Sequence, residues 1–138
     1  MRKIGILTGG GDCPGLNAVI RGVVEECAAA GIEVYGFSAG WRGALTGEGR
    51  WLSLKDVEGL QTKGGTILES SRTNVMKEEN GPERVRKTLE SLGLEGMVAI
   101  GGDDTLGVAN KLTKMGMKMI GVPKTIDNDL SCTDYTFG

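Results

Sequence analysis

The sequence contains no histidine. That absence removes histidine general bases, serine–histidine–aspartate triads and histidine metal sites. Cysteine is nearly as scarce, with only Cys13, Cys27 and Cys132, none of them in a C-x-x-C pair. An odd number of scattered thiols fits a reducing, cytoplasmic setting better than a disulfide framework. No run of 18 apolar residues occurs, so no transmembrane helix and no membrane partner are expected. The apolar stretch in the opening MRKIGILTGGGD is too short for a signal peptide and reads as a first strand. Positive charge is not in excess: 16 Lys and Arg stand against 18 Asp and Glu, a formal charge of −2. A nucleic-acid binder would show a basic patch or stripe, so no nucleic-acid partner is expected.

What is present fits one folded domain. The chain has 138 residues, 39% hydrophobic and 25% charged, which suits a single ordinary domain with a core rather than a disordered chain. Glycine is in excess, 24 of 138, about 17% against a usual value of about 7%. The glycines cluster at the ends of apolar runs, where backbone turns sharply or approaches a ligand closely.

Apolar periodicity alternates between two types. Lys3 to Leu7 is a near-continuous apolar run, as in a buried parallel strand. Gly15 to Ala30 is expected to be a helix, with Leu16, Val19, Ile20, Val23, Val24 and Cys27 at spacings of three and four and Gly31 as its stop. Ile32 to Phe37 is a second strand, which completes a βαβ unit. The middle, Ser38 to Asn80, is glycine-rich and less regular. It offers a short strand at Trp51 to Leu54, a short helix at Lys55 to Gln61, and a segment from Ile67 to Arg72 after the Gly64-Gly65 break. Asn80-Gly81-Pro82 then reads as the cap and first turn of a helix whose face carries Val85, Leu89 and Leu92 and which ends at Gly93. Met97 to Ile100 is a strand, Thr105 to Met115 a helix, and Met117 to Val122 a further strand. Strands alternating with helices predict an α/β, Rossmann-like layered fold with a mostly parallel sheet.

Three polar loops follow predicted strands, and open parallel sheets bind ligands at the carboxyl ends of their strands. The first, Gly9 to Gly15, precedes a helix. It is either an anion cradle of backbone N–H groups or a tight turn with no ligand. It is neither a Walker A loop nor a dinucleotide fingerprint, because no Gly-Lys-Ser/Thr follows and Pro14 stands where the third glycine would. The second, Gly101-Gly102-Asp103-Asp104-Thr105, carries adjacent carboxylates that either hold Mg²⁺ or serve the helix N-terminus. The third, Pro123 to Asp129, offers Lys124, Thr125, Asp127 and Asp129. That is a cation, a hydroxyl and carboxylates able to take a proton, or else a polar surface turn. Arg72, after Ser70-Ser71, is a candidate phosphate contact or an ordinary surface cation.

Taken in order, these segments resemble one family. Gly-Gly-Asp-x-Pro-Gly-Leu-Asn (10–17), Gly-Gly-Thr (64–66) with Ser-Ser-Arg (70–72), Gly-Gly-Asp-Asp-Thr (101–105) and Pro-Lys-Thr-Ile-Asp-Asn-Asp (123–129) are similar to motifs of the 6-phosphofructokinase family. The resemblance continues through Thr133 to Gly138. The Thr-Ile-Asp-Asn-Asp motif is highly specific. Gly-Gly-Asp alone is weaker, since NAD kinases and diacylglycerol kinases carry a similar one.

The resemblance implies roles residue by residue. Gly11 would offer its backbone to the phosphoryl donor, Arg72 would contact the transferred group, and Asp103 would hold Mg²⁺. Thr125 and Asp127 would meet the reactive hydroxyl of fructose 6-phosphate, with Asp127 as base and Asp129 in support. ATP-using members have glycine where this chain has Asp104 and generally also where it has Lys124, so the pair resembles the pyrophosphate-dependent branch. Asp104 would stand where the α-phosphate of ATP would lie. Two like charges about 4 Å apart repel by about 4 kcal/mol at an effective dielectric near 20, which is on the order of a thousandfold in affinity. Lys124 would neutralise charge on the leaving group. The implied activity is reversible, glycolytic phosphoryl transfer from pyrophosphate to the 1-hydroxyl of fructose 6-phosphate. The alternatives are an ATP-dependent enzyme and a noncatalytic phosphate-binding fragment.

Three departures from the family follow. Members are about twice as long, so residues 1–138 would supply the donor-binding and catalytic-loop domain, with the second, sugar-phosphate domain absent. Arg21 matches a basic effector cluster of allosteric members, but Glu25 and Leu54 replace basic residues there, so no nucleotide effector site of that kind is expected. Members assemble as dimers or tetramers, which makes a homo-oligomer an expectation here.

Overall fold

The computed structural model describes residues 2–9, 16–59, 66–71 and 73–123. Five strands form one sheet: β1 (Arg2–Thr8), β2 (Ile32–Phe37), β3 (Gly49–Leu52), β4 (Gly96–Gly101) and β5 (Met119–Pro123), in the order β3-β2-β1-β4-β5. All neighbours pair in parallel except β2 and β3, which are antiparallel with Tyr35 opposite Trp51. The α/β layered fold with a mostly parallel sheet is therefore as expected.

Side-chain alternation along the strands assigns the two faces. Ile6, Val34, Leu52, Val98 and Ile100 share one buried cluster with Leu16, Ile20 and Val24 of α1 (Leu16–Ala29). Leu7, Tyr35, Phe37, Met97 and Ala99 point the other way. They share a second cluster with residues of α2 (Trp41–Thr46), α3 (Gly81–Leu92) and α4 (Asp103–Lys114). Helices thus cover both faces, and the chain leaves β1 in one direction to reach β2 and ends in the other at β4 and β5. The gap between the carboxyl ends of β1 and β4 is where the winding reverses, the usual ligand crevice of such sheets.

Helix ends follow local chemistry. Gly31 takes a positive φ of 75° after α1. Gly93 does so after α3, where the Leu94 N–H reaches the Leu89 carbonyl at 2.8 Å, the Schellman pattern that glycine permits.

Three expectations need correction. Residues 54–59 form successive turns rather than a helix. The Asp56 carboxylate accepts from the Ser53 N–H and hydroxyl, a local bond that competes with helix propagation. Asn80 does stand at the cap position of α3 with Pro82 in the first turn, as expected, in a left-handed conformation and without a side-chain cap bond. Its role is conformational, since asparagine tolerates that region. Helix α4 starts two residues before Thr105, at Asp103, because Gly102 occupies the cap position. Finally, α2 and a 3₁₀ turn at Val75–Lys77 lie in the middle segment, where no helix was expected at those residues.

Candidate functional site

The carboxyl edge of the sheet is packed too tightly for side chains. The Gly9 N–H donates to the Ile100 carbonyl at 2.8 Å, tying the exit of β1 to the end of β4. A Cβ on Gly9 would lie 2.2 Å from the Thr105 Oγ1, and one on Gly101 would lie 2.5 Å from the Thr105 Cβ. Thr105, itself buried, therefore fills a notch that only glycines leave open. This brings the first turn of α4 against the ends of both central strands. Pro123, the last described residue, pairs in register with Gly101 at the same edge. The three strand ends lie side by side, as the sequence reading required.

Beside this notch lies a cleft of about 790 Å³, lined in part by Trp41, Ser70, Ser71, Asp104, Thr105 and Val108. Asp104 reaches it from the first turn of α4. Val108 is one turn further along the same helix, and both follow from the i, i+4 geometry. Ser70 and Ser71 line the cleft together with Thr73 and Asn74. Ser71 is committed to structure: its hydroxyl donates to the Ala39 carbonyl at 2.7 Å and accepts from the Thr73 N–H at 3.4 Å. Asn74 likewise accepts from the Met76 N–H at 2.9 Å. Trp41 is buried, and its Nε1 has no hydrogen-bond partner among the described residues.

Asp103 and Asp104 are exposed in the first turn of α4, after the cap residue Gly102. Their charges complement the helix dipole, as Lys111 and Lys114 do at the other end. Among the described residues no three acidic or cysteine side chains cluster as a metal cage. Gly11, Arg72, Lys124, Thr125, Asp127 and Asp129 lie outside the described residues. Arg21 forms an ion pair with Glu25 on α1, remote in sequence from every cleft-lining residue.

Sequence reasoning missed Trp41, Asn74 and Val108 as cleft residues. Spacing from Asp104 would have found Val108, and proximity to Ser70-Ser71 would have found Asn74. Nothing in the sequence distinguishes Trp41 from a core residue.

The phosphofructokinase family model matches residues 3–138. The chain belongs to the phosphofructokinase family. A pyrophosphate--fructose 6-phosphate 1-phosphotransferase of Amycolatopsis methanolica is 61% identical over 137 residues, which are 99% of this chain and 40% of that protein. An ATP-dependent 6-phosphofructokinase 3 of Streptomyces coelicolor is 50% identical over 99% of this chain and 40% of its own length. The chain thus spans about two fifths of the length of the curated relatives it matches. Among solved structures, a Pichia pastoris phosphofructokinase in the T-state superposes with a TM-score of 0.92 at 31% identity, covering 99% of this chain and 16% of that one. The phosphofructokinase assignment therefore rests on both sequence and fold.

Proposed function

We propose that the chain is the donor-binding and catalytic-loop part of a pyrophosphate-dependent phosphofructokinase. The reading is carried by the Asp104 carboxylate in the wall of the strand-end cleft. A nucleotide would have to bring an additional phosphate past that charge, whereas pyrophosphate has no α-phosphate to place there. Asp104 is exposed, so water screens the repulsion. It lies between about 1 kcal/mol in bulk solvent and about 4 kcal/mol once a donor displaces water from the cleft. The greater identity to the relative named for pyrophosphate than to the one named for ATP supports the same donor.

In the proposed reaction Asp127 takes the proton from the 1-hydroxyl of fructose 6-phosphate. The hydroxyl oxygen forms a bond to the near phosphorus of pyrophosphate, and the bridging P–O bond breaks to release inorganic phosphate. Thr125 and Asp129 orient Asp127 and the hydroxyl. Arg72 and the backbone at Gly11 hold the transferred phosphoryl group, and Lys124 receives charge on the leaving phosphate. Such a site works mainly by positioning and charge neutralisation. Asp103 would hold Mg²⁺. The Asp103 carboxylate is exposed, which suits an ion that takes one or two protein oxygens and completes its shell from phosphate and water. When bound, the ion supplies neutralisation of the phosphoryl oxygens.

The donor test is Asp104→Gly. Calorimetry should show the parent binding magnesium pyrophosphate in preference to magnesium ATP, and the variant gaining ATP affinity by about 5-fold to 1000-fold, the range set by that repulsion. Unchanged exclusion of ATP in the variant rejects the charge mechanism. A parallel coupled assay with fructose 6-phosphate separates a catalytic chain from a noncatalytic phosphate-binding one.

A further inference from the structure

The mechanism leaves the buried hydroxyl of Thr8 unused. Thr8 ends β1 and is fully buried. Its Oγ1 donates to the Glu69 carbonyl at 2.9 Å, which consumes its single proton. The 3.0 Å contact with the Thr66 Oγ1 must therefore run the other way, with Thr66 as donor. Thr66 in turn accepts from the Leu68 N–H at 3.2 Å. The result is a directed relay: Leu68 N–H to Thr66, Thr66 to Thr8, Thr8 to the Glu69 carbonyl. It loops the 66–69 turn back onto itself through a residue of the central strand.

The relay holds a backbone that would otherwise relax. Glu69 has φ of 61° and Ala39 has φ of 57°, both left-handed without being glycine, a conformation that persists only when surroundings over-determine it. Ala39 is bound to the same segment, its N–H donating to the Leu68 carbonyl at 2.8 Å and its carbonyl accepting from Ser71 at 2.7 Å. Asn17, buried at the start of α1, accepts from the Ile67 N–H at 2.8 Å. Ser70 and Ser71 follow Glu69 directly and line the same cleft as Asp104.

Resting on the donor-site reading above, we infer that Thr8 is a positioning residue. Through Thr66 and the Glu69 carbonyl it holds the 66–69 turn, and with it Ser70 and Ser71 in the cleft wall, in place for the anion without touching that anion. The test compares Thr8→Val, which keeps shape and removes the hydroxyl, with Thr8→Ser, which keeps the hydroxyl. Calorimetry with magnesium pyrophosphate should show about tenfold weaker binding for Thr8→Val, with Thr8→Ser within about twofold of the parent, since small displacements of a positioning wall cost binding steeply. Hydrogen exchange should show the Leu68 amide losing protection in Thr8→Val only. Circular dichroism confirms folding, and Thr66→Val carries the same expectation should Thr8→Val fail to fold. Parent-like binding by the folded valine variant, or equal weakening by serine and valine, overturns the positioning role while leaving the donor reading intact. A parent that binds no pyrophosphate overturns both.

Discussion

The two edges of the sheet are built from different materials. At the carboxyl edge lie Thr8, Asn17 and Thr105, the buried polar residues found among the described residues. The same edge holds the glycines at 9 and 101 that leave no room for a Cβ, and the left-handed backbone at Ala39 and Glu69. At the amino edge the contacts are on the surface. Arg2 pairs with Glu95 at 2.8 Å with both side chains largely in water, and the Lys3 ammonium lies 5.7 Å from the Trp51 ring centroid. Both edges close the same hydrophobic layers. Only one also holds loops in shape against an open cleft, and there buried hydrogen bonds and glycine notches replace the surface ion pairs of the other. The difference teaches that strain and buried polarity mark the working end of this sheet, because a merely closing edge needs neither.

The sharpest way to break this contrast is at the notch. Gly9→Ala sets a methyl against the Thr105 Oγ1, 2.2 Å away. Overpacking of this kind should cost about 2–3 kcal/mol, read as a lower urea midpoint with an unchanged slope. Adding Thr105→Ala to the same chain should restore part of the loss, and a double-mutant cycle would assign the coupling to that contact. A Gly9→Ala cost below about 0.5 kcal/mol, the level of an ordinary surface change, would mean that the carboxyl edge is not close-packed.

The notch also shows what a sequence can and cannot disclose. The apolar runs of β1, β2 and β4 and the i, i+4 stripe of Leu16, Ile20 and Val24 were legible because burial leaves continuous apolar runs in covered strands and a period on a helix. The glycine loops were legible as strand ends. That Gly9 and Gly101 both serve one threonine was not, because the partner lies far along the chain from Gly9 and its contact leaves no local pattern. The same holds for Thr8, which reads as the last residue of a strand until Thr66 and Glu69 are brought beside it. The helix α2 was missed for a different reason. Six residues flanked by Gly40 and Gly47, with Gly43 inside, are too short to show a helical period and carry glycines that oppose one. At the cleft, Asp104 was legible by motif, whereas Trp41 was not, since an isolated tryptophan looks the same in a core and in a wall.

A second substitution sharpens the comparison by reversing its sign. Gly22 lies on the exposed side of α1, and a Cβ there would meet nothing within 4 Å. Gly22→Ala should therefore stabilise the protein by about 0.5–1 kcal/mol, through helix propensity and a less flexible unfolded chain. The same chemical change is thus destabilising at the sheet's working edge and stabilising on a helix surface. A loss of stability on Gly22→Ala would show that α1 carries a close contact on that side.

The smallest effect belongs to the amino edge. The Arg2 guanidinium holds the Glu95 carboxyl below its ordinary value of 4.5, through their hydrogen bond first and their charge attraction after it. A carboxyl lowered on folding adds stability above its unfolded pKa, and that contribution disappears as the pH falls through the folded value. Glu95→Gln should therefore differ from the parent slightly at neutral pH and not at all in acid, once both side chains are uncharged. High salt should shrink the neutral-pH difference further, because the pair is exposed and screened. Urea titrations of the parent and Glu95→Gln at several pH values, with and without added salt, read this directly. A Glu95→Gln loss as large as that of Gly9→Ala, or one that persists in acid, would make the amino edge a structural seam equal to the other and dissolve the contrast between them.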